Sequence, residues 1–228
     1  MKRLDDHDTI NAYCNEIPIL KIISPSVKEH LSLVEFSRGE NICIEGDSLS
    51  SLYFMMEGKA KVFTTQENGK LLLLCFYKDF GLLGELELLS DVPYTTTVKA
   101  LSKVTCLSID RKIFETKLLT NLDFVQFIAR SLSDKLLRNT KNCTFNMLYP
   151  LENRLAIYIL LSAENGYFSA NQTYLSELLA TSLRHLTRML SKFCVDGILE
   201  KKNSRYLILD KDKLEALTEG TINSFNLT

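Results

Sequence analysis

Apolar and polar positions alternate in short runs from Leu31 to Asp110, with turn residues between them. Residues 31–36 and 41–44 flank Arg38-Gly39-Glu40, and residues 51–56 meet 59–65 across Glu57-Gly58. Asn68-Gly69, a strong hairpin signal, lies between Val62-Phe63 and the run 71–76, and residues 95–100 and 104–109 complete the set. Strands recurring about every 8–12 residues with no long helix between them predict a sandwich, jelly roll or small barrel. The period then changes. Between residues 121 and 149 apolar side chains fall three or four apart at Leu122, Val125, Ile128, Leu132 and Leu136, continuing at Cys143 and Met147, with Asp134, Lys135, Arg138 and Lys141 on other faces. This predicts a helix of roughly 40 Å, and one apolar stripe of that length needs a partner surface. The favoured partner is a second copy, with Val125, Ile128, Leu132, Leu136 and Cys143 in the seam and Asn139 or Thr140 interrupting it. Packing on its own domain is the alternative. Pro150 cannot continue the helix and marks a boundary. The predicted division is residues 1–118, a β domain with short N-terminal helices; 119–149, the long helix; and 150–228, a second domain.

Past Pro150 a helix over residues 151–163 stops at Gly166, and two shorter helices and a hairpin follow. The first of the pair runs to Ala180 and turns at Thr181-Ser182; the second starts at Leu183, with Ser182 placed to cap it. At about 100° per residue, Leu183, Leu186, Leu190 and Phe193 share one face. Arg184, His185, Thr187, Arg188 and Lys192 lie on the other, and Arg184 and Arg188 project together one turn apart. That is the composition of a DNA-reading helix: an apolar stripe for docking and guanidinium forks matched to guanine O6 and N7. An ordinary amphipathic surface helix shares the pattern. What favours DNA is the next segment, where Gly197 ends the helix and a two-stranded wing is predicted with Lys201, Lys202 and Arg205 at its tip. Six basic residues stand against two acidic ones from Leu183 to Arg205, a local charge of +4.

The whole chain carries a formal charge of −1, so bulk charge does not bind it to nucleic acid and only a local patch can. Hydrophobic residues make up 46% and charged residues 24% of the 228, ordinary globular usage. The longest apolar run, residues 71–77, is too short to span a bilayer, and the acidic stretch at residues 1–8 is unlike a secretory signal. A cytoplasmic protein without membrane contact is expected. The six cysteines form no C-x-x-C pair, which favours reduced, buried thiols over metal ligation, with a redox-sensing pair left open.

The motifs RGENICIEGD (38–47), LYFMMEG (52–58), GELELL (84–89), TSLRHLTR (181–188) and DGIL (196–199) stand in order along the chain. On these the chain resembles the CRP/FNR superfamily of bacterial transcription regulators, and NRLAIYILLS (153–162) with Arg184-His185-Leu186 is most similar to its YeiL-like subgroup. The resemblance implies an α+β fold: an N-terminal cyclic-nucleotide-binding-type β-roll (jelly roll), a long dimerisation helix and a C-terminal winged helix-turn-helix. It implies a homodimer that recognises a palindromic operator in double-stranded DNA and contacts RNA polymerase. The DNA-binding set is then Ser182, Arg184, His185, Thr187, Arg188, Lys192, Lys201, Lys202 and Arg205. Gly84, Glu85, Leu86, Tyr94, Thr95 and Thr96 map to the effector pocket. In cyclic-nucleotide-binding relatives an arginine about ten residues after the Gly-Glu-Leu turn pairs with the phosphate. Here Tyr94 takes that place and no arginine occurs between Glu85 and Ala100. Binding of cAMP is therefore not expected, since an unpaired buried anion costs several kcal/mol. Glu85 is instead expected to cap the helical turn starting at Leu86. No cofactor or metal is expected and the effector is open, with His30, Cys75 and Met56 as the single residues able to ligate a haem iron. Two other classes remain: a dimeric module sensing a small molecule or redox state without reading DNA, and a cupin-type metalloenzyme. His7, His30 and His185 are too scattered to favour the latter.

Overall fold

The computed structural model describes every residue except Asp5, Ile22, Asn68, Lys70, Ala170, residues 219–225 and Thr228. For Asn142, Cys143, Phe145, Asn146, Asn226 and Leu227 it describes the backbone alone. Asn68 of the expected hairpin turn and the Cys143 seam side chain thus lie outside the described residues.

The chain opens with β1 (Lys2–Leu4), α1 (His7–Glu16), α2 (Pro18–Lys21) and α3 (Pro25–Lys28). The roll follows: β2 (Ser32–Phe36), β3 (Asn41–Cys43), β4 (Ser51–Glu57), β5 (Lys59–Thr65), β6 (Leu71–Lys78), β7 (Gly81–Leu83), α4 (Glu85–Ser90), β8 (Thr97–Ala100) and β9 (Val104–Asp110). Next come α5 (Arg111–Ile113), a π-helical turn (Phe114–Leu118) and the long α6 (Leu122–Leu148). The remainder is α7 (Leu151–Ser162), β10 (Tyr167–Phe168), α8 (Gln172–Leu178), α9 (Leu183–Val195), β11 (Leu199–Lys202), β12 (Arg205–Ile208), α10 (Lys211–Leu217) and β13 (Asn226–Leu227). The residues form two compact units. Met1–Val62, Tyr77–Arg138 and Leu227–Thr228 make one, Phe63–Phe76 and Asn139–Asn226 the other, so α6 is shared between them.

In the first unit one sheet runs β1-β2-β9-β4-β7; a second sheet has the order β13-β6-β5-β8-β3. The central strands β4 and β9 are antiparallel, with Leu52 opposite Ile109 and Phe54 opposite Leu107. Both strands are buried on both faces. Phe54 meets Phe124 of α6 edge-on (6.4 Å between centroids), while its neighbour Tyr53 turns the other way onto Phe36 (6.0 Å). Phe124 also meets Phe114 at 6.3 Å, which fixes the start of α6 on the sheet. The β4–β5 turn requires glycine: Gly58 has φ +106°, and a Cβ there would lie 2.3 Å from the Lys103 carbonyl oxygen.

The second unit is built on α7, whose Leu155, Ala156, Ile157, Tyr158 and Ile159 are all buried. Aromatic rings meet in a chain from Phe76 to Tyr158 (5.6 Å), Tyr158 to Phe168 (6.0 Å) and Phe168 to Tyr206 (6.1 Å). Phe63 adds an edge-on contact with Tyr174 of α8 (6.0 Å). The hairpin β11–β12 gains a third strand, because β10 pairs with β12.

Candidate nucleic-acid interface and effector cup

Helix α9 starts where the sequence places it. Ser182 is its N-cap, and its hydroxyl accepts from the His185 N–H at 3.2 Å. Leu186, Leu190 and Phe193 are fully buried. Leu183, expected on the same face, is 44% exposed, because a residue in the first turn projects beyond the surface that α8 covers. The turn from α8 places Ala180 in the left-handed region (φ +48°), where glycine would be the easy choice. Arg154, absent from the predicted set, supports that turn from α7: its guanidinium donates to the Leu179 carbonyl at 2.7 Å. Gln172 does similar work, accepting from Thr187 Oγ1 (3.2 Å) and donating to the Tyr206 hydroxyl (3.1 Å). Neither carries a sequence signal of its own, since both act through contacts that only the fold creates.

The predicted cations divide into two groups. Lys192 reaches Glu152 of α7 at 2.8 Å, and Lys202 pairs with Glu200 on its own strand at 3.0 Å. Arg184, Arg188, Lys201 and Arg205 are exposed, and among the described residues none has an ion-pair partner. Thr187 is exposed but bonded to the Leu183 carbonyl at 2.9 Å, and the half-buried His185 ring lies 3.4 Å from Thr181 Oγ1. The outer face of α9 and the wing thus hold four uncommitted guanidinium and ammonium groups, the donors that phosphates and guanine edges accept from.

In the roll, Glu85, Tyr94 and Thr95 of the residues mapped to the effector pocket bond to side chains and backbone outside that set. Gly84 (φ +94°) is the N-cap of α4, and a Cβ there would lie 3.3 Å from the Ser51 carbonyl oxygen and 3.5 Å from the Tyr94 ring. The Tyr94 ring is buried and its hydroxyl donates to that Ser51 carbonyl at 3.2 Å. Thr95 gives its N–H and hydroxyl to Glu87 Oε1, at 3.1 and 2.6 Å. Leu86 is 47% exposed on α4 and Thr96 is half-buried. Glu85 does not cap the helix as expected. It is the first residue of α4, makes no cap bond, and is 1% exposed with its carboxylate on Lys135 of α6. A carboxylate so buried needs a countercharge more than the backbone needs a cap. Burial alone would lower the Lys135 pKa, but Tyr77 and Glu85 outweigh it and hold the ammonium above the ordinary lysine range.

The thiols are subdued. Cys14, Cys43 and Cys106 are buried, and burial pushes Cys43 up to about 12. His30 is exposed beside Lys117 Nζ at 3.4 Å, whereas Met56 and Cys75 are buried strand residues. Among the described residues no three His, Cys, Asp or Glu side chains converge to hold a metal, and no helix is long and apolar enough to cross a membrane.

A roll followed by a long helix and a helix-turn-helix with a cationic wing defines a DNA-binding transcription regulator with a cyclic-nucleotide-binding-type domain. Residues 33–121 match the cyclic nucleotide-binding domain family and residues 153–217 the Crp-like helix-turn-helix family. The chain is 34% identical over 185 residues to regulatory protein YeiL of Escherichia coli O157:H7, covering 81% of this chain and 84% of that one. It belongs to the CRP/FNR family of transcription regulators. It is 23% identical over 199 residues to a CRP-like cAMP-activated global transcriptional regulator of Mycobacterium tuberculosis, covering 83% of this chain and 89% of that one. The fold matches a Crp/Fnr-family crystal structure from Eubacterium rectale, with TM-score 0.75, 16% identity and coverage of 90% of this chain and all of that one. A CRP-family regulator from Thermus thermophilus matches with TM-score 0.66 and 19% identity, covering 82% of this chain and 97% of that one.

Proposed function

We propose that the protein is a homodimeric, sequence-specific regulator that reads a two-fold symmetric operator and works in the cytoplasm with RNA polymerase, without cAMP in its roll. The observation that carries the reading is the pair Arg184 and Arg188, exposed and without ion-pair partners among the described residues, while the opposite face of α9 is locked into the core. Ser182, His185 and Thr187 frame the pair. Lys201 and Arg205 take phosphates, and Lys202 and Lys192 join them by exchanging a carboxylate partner for a phosphate. Residues 1–118 serve as effector domain, 119–149 as dimerisation helix and 150–228 as reader.

Dimerisation is supported by α6, which leaves Leu122 (69%), Val125 (37%) and Leu136 (68%) exposed, with Met147 and Leu148 beyond them. Leu132 is half-buried, and Ile128 is already buried within its own chain. The absence of cAMP is supported by the filled cup: Tyr94 occupies the space beside Gly84, and the Glu85 carboxylate is committed to Lys135. Contact with RNA polymerase rests on the family alone.

Binding to operator and to random DNA, compared across variants, tests the proposal. Arg184→Ala is expected to abolish discrimination between the two, at about 1–3 kcal/mol per bidentate base contact. Lys202→Ala is expected to weaken both alike and to lower the salt dependence. Preserved discrimination in Arg184→Ala overturns the assignment of the reading helix. Saturable micromolar binding of cAMP in calorimetry overturns the reading of the cup.

A further inference from the structure

On the outer face of α9, Thr187 stands between Arg184 and Arg188 and is exposed, yet its hydroxyl is already committed. A threonine hydroxyl has one proton to give. Here Oγ1 holds that proton against the Leu183 carbonyl one turn back, at 2.9 Å, and against Gln172 Oε1 of α8, at 3.2 Å. The Gln172 amide is itself fixed, because Nε2 donates to the hydroxyl of the buried Tyr206 on β12 at 3.1 Å. The wing, α8 and the reading helix together therefore hold the Thr187 side chain in one orientation. A β-branched side chain carries two heavy atoms on Cβ in staggered positions. With Oγ1 turned onto the helix and α8, the Cγ2 methyl is the group left to face outward.

The place of that methyl matters. At about 1.5 Å of rise per residue, Thr187 lies roughly 4.5 Å along the helix axis from Arg184 and roughly 1.5 Å from Arg188. Base pairs follow one another at about 3.4 Å, so the three side chains face neighbouring pairs when α9 lies along a major groove. In that groove thymine presents a C5 methyl, for which a threonine methyl is a matched apolar contact.

We infer that Thr187 reads a thymine by methyl-to-methyl contact, at a base pair next to those taken by Arg184 and Arg188, and not by a hydrogen bond from its hydroxyl. The contact presupposes that α9 reads DNA as proposed above, and it supplies a base identity that the two guanidinium groups do not.

The test uses the full chain and an operator selected from random duplex DNA, with each thymine of the half-sites replaced in turn by deoxyuridine, which removes the C5 methyl alone. At one thymine position the wild type is expected to lose about fourfold in affinity per half-site, the worth of one buried methyl group. Thr187→Val keeps a methyl and deletes the hydroxyl, and is expected to retain that penalty. Thr187→Ser keeps the hydroxyl and deletes the methyl, and is expected to bind the thymine and uracil operators alike. Half-sites without thymine, or a wild type that binds every deoxyuridine operator as well as the parent, overturn the inference. So does a penalty that persists in Thr187→Ser or disappears in Thr187→Val. Each of these results leaves the reading helix in place as long as Arg184→Ala loses discrimination. Failure to select any operator, or discrimination preserved in Arg184→Ala, instead overturns the DNA-reading proposal and this contact with it.

Discussion

Replacing Lys135 by methionine keeps the length and apolar stem of the side chain and removes its charge. Glu85 is 1% exposed and Oε2 already lacks a hydrogen-bond partner, so losing the ammonium leaves a buried carboxylate without its countercharge. Removing one partner of a buried ion pair costs about 3–5 kcal/mol. The Lys135 side chain is 21% exposed, so water softens the loss, and about 3 kcal/mol is the expected figure. The double variant Lys135→Met/Glu85→Gln removes both charges and should recover more than half of that, because a neutral amide is far cheaper to bury than an unpaired anion. In the wild type the ammonium pKa is held above its ordinary value. With Glu85 ionised, the ammonium's contribution is therefore complete below about pH 10.5 and is lost as the pH rises through the raised value. Urea unfolding of wild type, single and double variants at pH 7 measures the loss and its recovery, and the differences should be unchanged at pH 9. A loss under about 1 kcal/mol in Lys135→Met, or no recovery in the double variant, would refute the claim that Glu85 is held by α6.

Three further outcomes are expected. Burial, with Lys99 adding to it, lowers Lys61 to about 7, so the unfolded chain holds more protons above that pH. Stability should rise between about pH 7 and 10.5, and Lys61→Met should flatten that rise in pH-dependent melting curves. Ala180→Gly should stabilise the fold by up to about 1 kcal/mol by relieving the left-handed conformation at φ +48°, read by urea unfolding. Leu136→Glu should leave the secondary structure intact, since the side chain is 68% exposed. It should still weaken self-association about a hundredfold in sedimentation, at roughly 1.5 kcal/mol per copy.

The roll is legible because β4 and β6 are long apolar runs and β5 and β9 mix apolar with polar positions between turn residues, and the reader because α9 has a clean amphipathic period. Local pattern failed where structure depends on distant partners. The strand Lys2–Leu4 has no apolar alternation, yet it adds to the sheet edge through its backbone, with Lys2 opposite Glu35. The strand Gly81–Leu83 is too short to carry a period. Glu85 looks like a helix cap in local sequence because its partner Lys135 lies 50 residues away on α6, and nothing near Lys192 in sequence points to its ion pair with Glu152, 40 residues earlier.

The central claim, paired reading helices on symmetric DNA, is tested most directly by genome-wide footprinting of the purified protein without added cAMP. The account predicts protected sites made of two inverted half-sites with centres about 34 Å apart. It also predicts that these sites vanish with Arg184→Ala while nonspecific retention persists. Protection of single, unpaired half-sites by a monomer, or a site list unchanged by Arg184→Ala, would contradict it.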